Sequence, residues 1–113
     1  MSDAFERQRN LVAQHPRNEL ARFSLGRALF DAGRLDEAEV HLSVALELRP
    51  DWMVVQILLG KCALGAGRVE EARRCFERAR DLAVAQHHEG PLEEMNQMLA
   101  ELPSGDGEGG TRP

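Results

Sequence analysis

An all-α solenoid of antiparallel helix hairpins, about six helices in all, is the fold class this sequence predicts. The first observation behind it is an internal repeat. Residues 19–52 align on 53–86 without a gap, matching Leu25 with Leu59, Gly26 with Gly60, Gly33 with Gly67, Arg34 with Arg68, Ala38 with Ala72 and Ala45 with Ala79. A fixed period of thirty-four residues marks a stacked repeat, whose units bury their apolar faces on one another. The second observation is punctuation: each apolar pattern of helical spacing closes on Gly or Pro.

The first helix is expected over about 3–14, carrying Phe5, Leu11 and Val12, and ends before Pro16 because the residue preceding proline disfavours helical geometry. Asn18 offers a side-chain oxygen to the free N–H groups of a second helix, about 19–32, whose apolar face holds Leu25 and Leu29. Gly33 supplies the left-handed residue that closes it. A third helix follows over about 36–48, stopped by Pro50, and Asp51 is the expected cap of a fourth, about 52–66, ended by Gly67. The fifth begins near Val69. Val84 stands where Pro50 stood, so this helix is expected to run on to about 88 before Gly90. Pro91 suits the first turn of a last helix over about 91–102, with Leu92, Met95, Leu99 and Leu102 on one face. The folded domain is thus expected over 1–102. Residues 103–113, rich in Gly and poor in apolar side chains, are expected to form a disordered tail.

Composition excludes several functions. A net charge of -5 and a pI near 5.3 argue against a general nucleic-acid binder. No apolar run approaches the roughly 18 residues of a membrane span, and the acidic first residues do not form a secretory signal, so a cytoplasmic protein is expected. Two cysteines, Cys62 and Cys75, are too few for a disulfide framework. Thirteen of the fourteen basic residues are Arg, and with the abundance of alanine this bias points to a GC-rich, bacterial gene.

The repeat resembles the tetratricopeptide repeats, whose signature is W-x2-L-G-x2-Y, A-x3-F, then A and P. The first copy reads Arg22-x2-Leu25-Gly26-x2-Leu29, Ala38-x3-Leu42, Ala45 and Pro50. The second reads Gln56-x2-Leu59-Gly60-x2-Ala63, Ala72-x3-Phe76 and Ala79, without the proline. Arg22 and Gln56 replace the usual tryptophan; an aliphatic stem can still cover apolar surface. The resemblance implies a right-handed superhelical stack, with Gly26 and Gly60 letting paired helices approach and Ala38 and Ala72 as the small residues they meet. The first helix reads as the second half of a truncated repeat. It and the last helix are expected to cap the two ends of a monomer; if the last helix covers its end poorly, Met95, Met98 and Leu99 form a dimer surface instead.

In this family the first helix of each hairpin lines the concave face. The resemblance therefore assigns Leu20, Phe23, Arg27, Phe30 and Asp31 from one repeat and Val54, Ile57, Lys61 and Leu64 from the next to a protein-binding groove, apolar with two cations. Such a groove suits a protein or peptide partner with apolar anchors and a carboxylate, extended or as an amphipathic helix, and makes the chain an adaptor or a client-specific chaperone with no catalysis of its own. The competing arrangement is a groove filled by its own helices. The family's carboxylate clamp for chaperone tails is not expected, because Phe23 and Leu58 stand where polar donors would be and Arg27 replaces an asparagine.

No catalytic motif, cofactor loop or metal-ligand spacing is present. Cys62 and Cys75 fall on opposite helices of one hairpin and read as buried, inert thiols. His87 and His88, adjacent on a helix, point about 100° apart and read as solvated, as does His41. The alternating charges of the fifth helix read as a convex surface. Two other functions remain as alternatives: self-association through the last helix, and a small thiol or metal protein.

Overall fold

The computed structural model describes residues 4–103, and these form six α-helices: α1 Glu6–Gln14, α2 Glu19–Asp31, α3 Leu35–Leu48, α4 Met53–Gly65, α5 Val69–Ala85 and α6 Glu89–Glu101. Neighbours in sequence pack against one another along the chain, and α2 also touches α4. The molecule measures 53 × 33 × 20 Å with a radius of gyration of 15.5 Å. A compact domain of 100 residues would have about 13 Å, so the chain is elongated, as a one-dimensional stack must be.

Each hairpin closes on one contact. A Cβ added to Gly26 would lie 2.8 Å from Leu42 Cγ, and one added to Gly60 would lie 2.4 Å from Phe76 Cε1. Leu42 and Phe76 are both fully buried and one repeat apart. The atoms nearest to the glycines therefore belong to these large side chains. Both alanines are still buried completely, among the same core residues. The missing Cβ leaves room for a large side chain to reach the partner backbone, which a pair of small residues would not use.

Gly33 and Gly67 end α2 and α4 with φ of 81° and 82°. The Gly67 N–H donates to Leu64 O and the Arg68 N–H to Ala63 O, satisfying the last free carbonyls, and Gly33 and Arg34 repeat this pattern. Asn18 caps α2 as expected, accepting from the Ala21 N–H at 2.9 Å. Asp51 does not cap α4. The capping position falls on Trp52, one repeat from Asn18, and no side chain bonds there.

The expected extension of α5 to residue 88 is also corrected. α5 stops at Ala85, and His87 adopts φ 59°, with the His87 and His88 N–H groups donating to Val84 O and Ala83 O. A histidine thus fills the left-handed position that glycine fills elsewhere, at a cost of roughly 1–2 kcal/mol. The turn folds α6 back on α5, burying Met95 among Phe76, Ala79 and Ala83, and that burial offsets the strain. The tail assigned to 103–113 lies outside the described residues apart from Pro103, whose carbonyl accepts from Arg73.

Replacing Gly60 by alanine forces a fully buried ring to move, an overpacking cost of about 1–3 kcal/mol against a helix-propensity gain of up to about 1 kcal/mol. Urea unfolding of Gly60→Ala is expected to show a net loss of about 1–2 kcal/mol, and Gly26→Ala a smaller loss because the Leu42 side chain can rotate away.

Candidate protein-binding groove

The nine residues assigned to the groove lie on α2 and α4 and differ in exposure. On α2, Leu20 is 62% exposed, Arg27 and Asp31 are exposed, and Phe23 and Phe30 are half-buried. On α4, Val54 is 39% exposed, Lys61 and Leu64 are half-buried, and Ile57 is only 8% exposed, packed with Met53 and Met95. The α2 half is open and the α4 half is largely covered.

The cover is α6. The first helices begin at Glu19, Met53 and Glu89, so the spacing is thirty-four residues and then thirty-six. With that two-residue shift, Leu92, Met95 and Leu99 fall where Gln56, Leu59 and Ala63 fall in α4. α6 is thus the first helix of an incomplete third repeat. Met95 is fully buried and keeps no surface for a second copy; Met98 and Leu99 are half-buried against the same cluster. Glu94 reaches back to Lys61, Nζ to carboxylate 3.4 Å. Among the described residues Arg27, the equivalent of Lys61, pairs only with Asp31 one turn along its own helix, at 3.3 Å and with both groups more than half exposed. Exposed pairs of this kind contribute little, so Arg27 is the cation of this face more readily given to a partner.

Sequence reasoning missed the rim of this surface. Trp52, the one tryptophan, lies against Phe23 with ring centroids 4.7 Å apart, and the Arg49 guanidinium sits over its ring at 4.1 Å. Arg49 is held in turn by Glu19, Nε to Oε1 2.8 Å. This stack ties the start of α2, the end of α3 and the start of α4 together. Beside it opens a cavity of about 600 Å³ lined by Arg49, Asp51, Trp52, Met53, Val54, Gln86, His88 and Pro91. Gln86 fixes its far wall by donating to Asp51 O at 3.1 Å. A single aromatic residue at the place that capped the previous helix was the available signal.

A second arrangement recurs inside each hairpin. Arg22, at the tryptophan position of the signature, donates from Nε to Pro16 O at 2.8 Å and lies 3.0 Å from Nδ1 of His41. One repeat on, Gln56 and Cys75 occupy the two equivalent positions. His41 is therefore not a solvated side chain. Burial, with the Arg22 charge second, holds its pKa below the usual imidazole value, so Nδ1 is the unprotonated acceptor. Gln56 is 5% exposed and its Oε1 has no partner.

Burial acts on the thiols in the same way, fully for Cys62 and partly for Cys75, which is half-buried and not enclosed as the sequence suggested. Burial pushes Cys62 up to about 11 and also raises Cys75, so neither is a thiolate at neutral pH. Among the described residues no group of three His, Cys, Asp or Glu side chains could hold a metal ion, and no helix is long and apolar enough to cross a membrane.

Comparisons with known proteins agree with this geometry. Tetratricopeptide repeat models match residues 1–54 and 53–78. The TPR repeat-containing protein PA0015 of Pseudomonas aeruginosa is 32% identical over 92 residues, covering 81% of this chain and 88% of that protein. The solution structure of protein BPP2914 from Bordetella parapertussis superposes with a TM-score of 0.77 at 30% identity, covering 94% of this chain and 92% of that one. The first TPR of Spaghetti (RPAP3), bound to the HSP90 peptide SRMEEVD, superposes with a TM-score of 0.67 at 20% identity, covering 83% and 75%, which shows a shared fold. The chain belongs to the tetratricopeptide repeat family, a fold of protein-interaction scaffolds.

The depressed pKa of His41 makes stability depend on pH. The unfolded chain takes up the proton near 6.5 and the folded chain resists it, so stability is complete above that value and falls as pH drops toward the lower folded pKa. Glu37, held low chiefly by its hydrogen bond from Arg9, adds a second loss only below about 4.5. Thermal melts are expected to show a falling midpoint from pH 7 to pH 5, and His41→Gln to flatten that window while leaving the loss below pH 4.5.

Proposed function

We propose that this chain is a protein-interaction module that binds a peptide or amphipathic helix across the open α2 half of its groove, as an adaptor or a client-specific chaperone. The observation that supports the reading is the exposure of Leu20, with Phe23 and Phe30 half-buried on either side of a weakly held Arg27. Leu20 and Val54 offer apolar contact, the cavity beside Trp52 accepts a large side chain, and Arg27 exchanges Asp31 for a partner carboxylate. Lys61, already paired with Glu94, plays the smaller part.

The peptide carried by the RPAP3 domain supports an interaction role for this fold. Its acidic-tail mode is not transferred, because Phe23 is stacked on Trp52 and Leu58 is 6% exposed here. No covalent chemistry is assigned to the chain.

Trp52 is a built-in reporter for the groove. Titrating peptides that combine large apolar residues with a carboxylate is expected to change its fluorescence saturably. Leu20→Glu or Arg27→Glu is expected to weaken binding at least tenfold, and Lys61→Glu by less than threefold, at equal helicity. Equal loss from all three variants would extend the site over α4, and no loss from Leu20→Glu and Arg27→Glu would move it off α2.

A further inference from the structure

α1 is a second helix whose first helix is absent among the described residues, and α6 is a first helix whose second helix is absent. The positions that are fully buried in both complete hairpins, Ala38, Leu42 and Ala45, then Ala72, Phe76 and Ala79, correspond to Ala4 in the turn before α1 and to Gln8 and Leu11 within it. Ala4 is exposed, Gln8 half-exposed, and Leu11 44% exposed. In α6 the glycine position of Gly26 and Gly60 is taken by Asn96, which is exposed between half-buried Leu92 and Leu99.

We propose that these two faces are complementary, so that α6 of one copy and α1 of the next complete a hairpin and join copies head to tail. The register comes from the hairpins within the chain, where Gly26 opposes Leu42 and Gly60 opposes Phe76. Applied to α6 and α1, it sets Asn96 against Gln8, Leu92 against Leu11 and Leu99 against Ala4 in antiparallel order. A glycine against a large apolar side chain is thereby replaced by two amides, each able to donate and accept. Charge agrees: α6 carries Glu89, Glu93, Glu94 and Glu101 and no cation, whereas α1 carries Arg7 and Arg9 against Glu6. Glu94 and Arg9 also serve ion pairs within the chain, to Lys61 and Glu37. The faces differ and lie at opposite ends of the stack, so the contact is heterologous and open-ended. It is also small, and association belongs to the weak class seen near millimolar protein.

The test is sedimentation equilibrium of the full chain, wild type and two surface variants, from about 10 μM to about 1 mM. Leu11→Glu blocks the α1 face and Asn96→Arg blocks the α6 face; both positions are exposed, and equal helicity is checked first. Wild type is expected to rise continuously above the monomer mass of 12.6 kDa, each variant alone to stay monomeric, and their equimolar mixture to stop at a dimer. The mixture retains one good α6 face and one good α1 face, so it distinguishes head-to-tail joining from a symmetric dimer. Wild type remaining monomeric throughout, variants that associate like wild type, or a mixture that stays monomeric would each overturn the proposal.

Discussion

The contact between a glycine on one helix and a large apolar side chain on the next sets the spacing of everything else in this stack. Gly26 receives Leu42 and Gly60 receives Phe76 in the same relation, so both hairpins have the same internal geometry. Identical hairpins leave α4 sandwiched, with nearly all of 53–63 buried, and make it the element on which both core clusters close. Ion pairs then join repeat to repeat at the surface. Arg68 reaches back to Glu39 at 2.6 Å, while its equivalent Arg34 lies over the Phe5 ring at 5.2 Å. The same arginine position thus serves two chemistries according to what the preceding helix offers.

The two cations of the groove differ for a reason that lies outside the groove. α6 follows α4 by thirty-six residues instead of thirty-four, because α5 runs three residues past the end of its equivalent α3. That shift brings Glu94 to Lys61 and Met95 over Ile57, closing one half of the face and leaving α2 open. The proposed binding surface is accordingly the half nearer the amino terminus, bordered by the Phe23–Trp52–Arg49 stack.

Much of this was legible in the sequence, since period, hairpin glycines and left-handed caps are local signals repeated in register. Six helices followed from them. The end of α5 was only partly legible: the loss of the proline equivalent signalled a longer helix, but His87 adopts a left-handed conformation that its residue type does not announce and stops it at Ala85. The cap of α4 was recoverable, because one repeat beyond Asn18 lies Trp52, not Asp51. For the proposed groove, the resemblance named nine positions on α2 and α4, and their exposure, which depends on where α6 lands, was not legible. The pairing of Arg22 with His41 spans nineteen residues and two helices, and became visible only with the hairpin closed.

The central claim, that partners bind on the α2 half of the shared face, is tested most directly by methyl NMR of the chain titrated with a bound peptide. Among the described residues five large apolar side chains are exposed, Leu11, Leu20, Val40, Val54 and Val84, and their methyl groups report on separate surfaces. The account predicts that Leu20 and Val54 shift with binding and show contacts to the peptide, while Val40 and Val84 stay in place. Shifts concentrated at Val40 or Val84, with Leu20 unmoved, would contradict it.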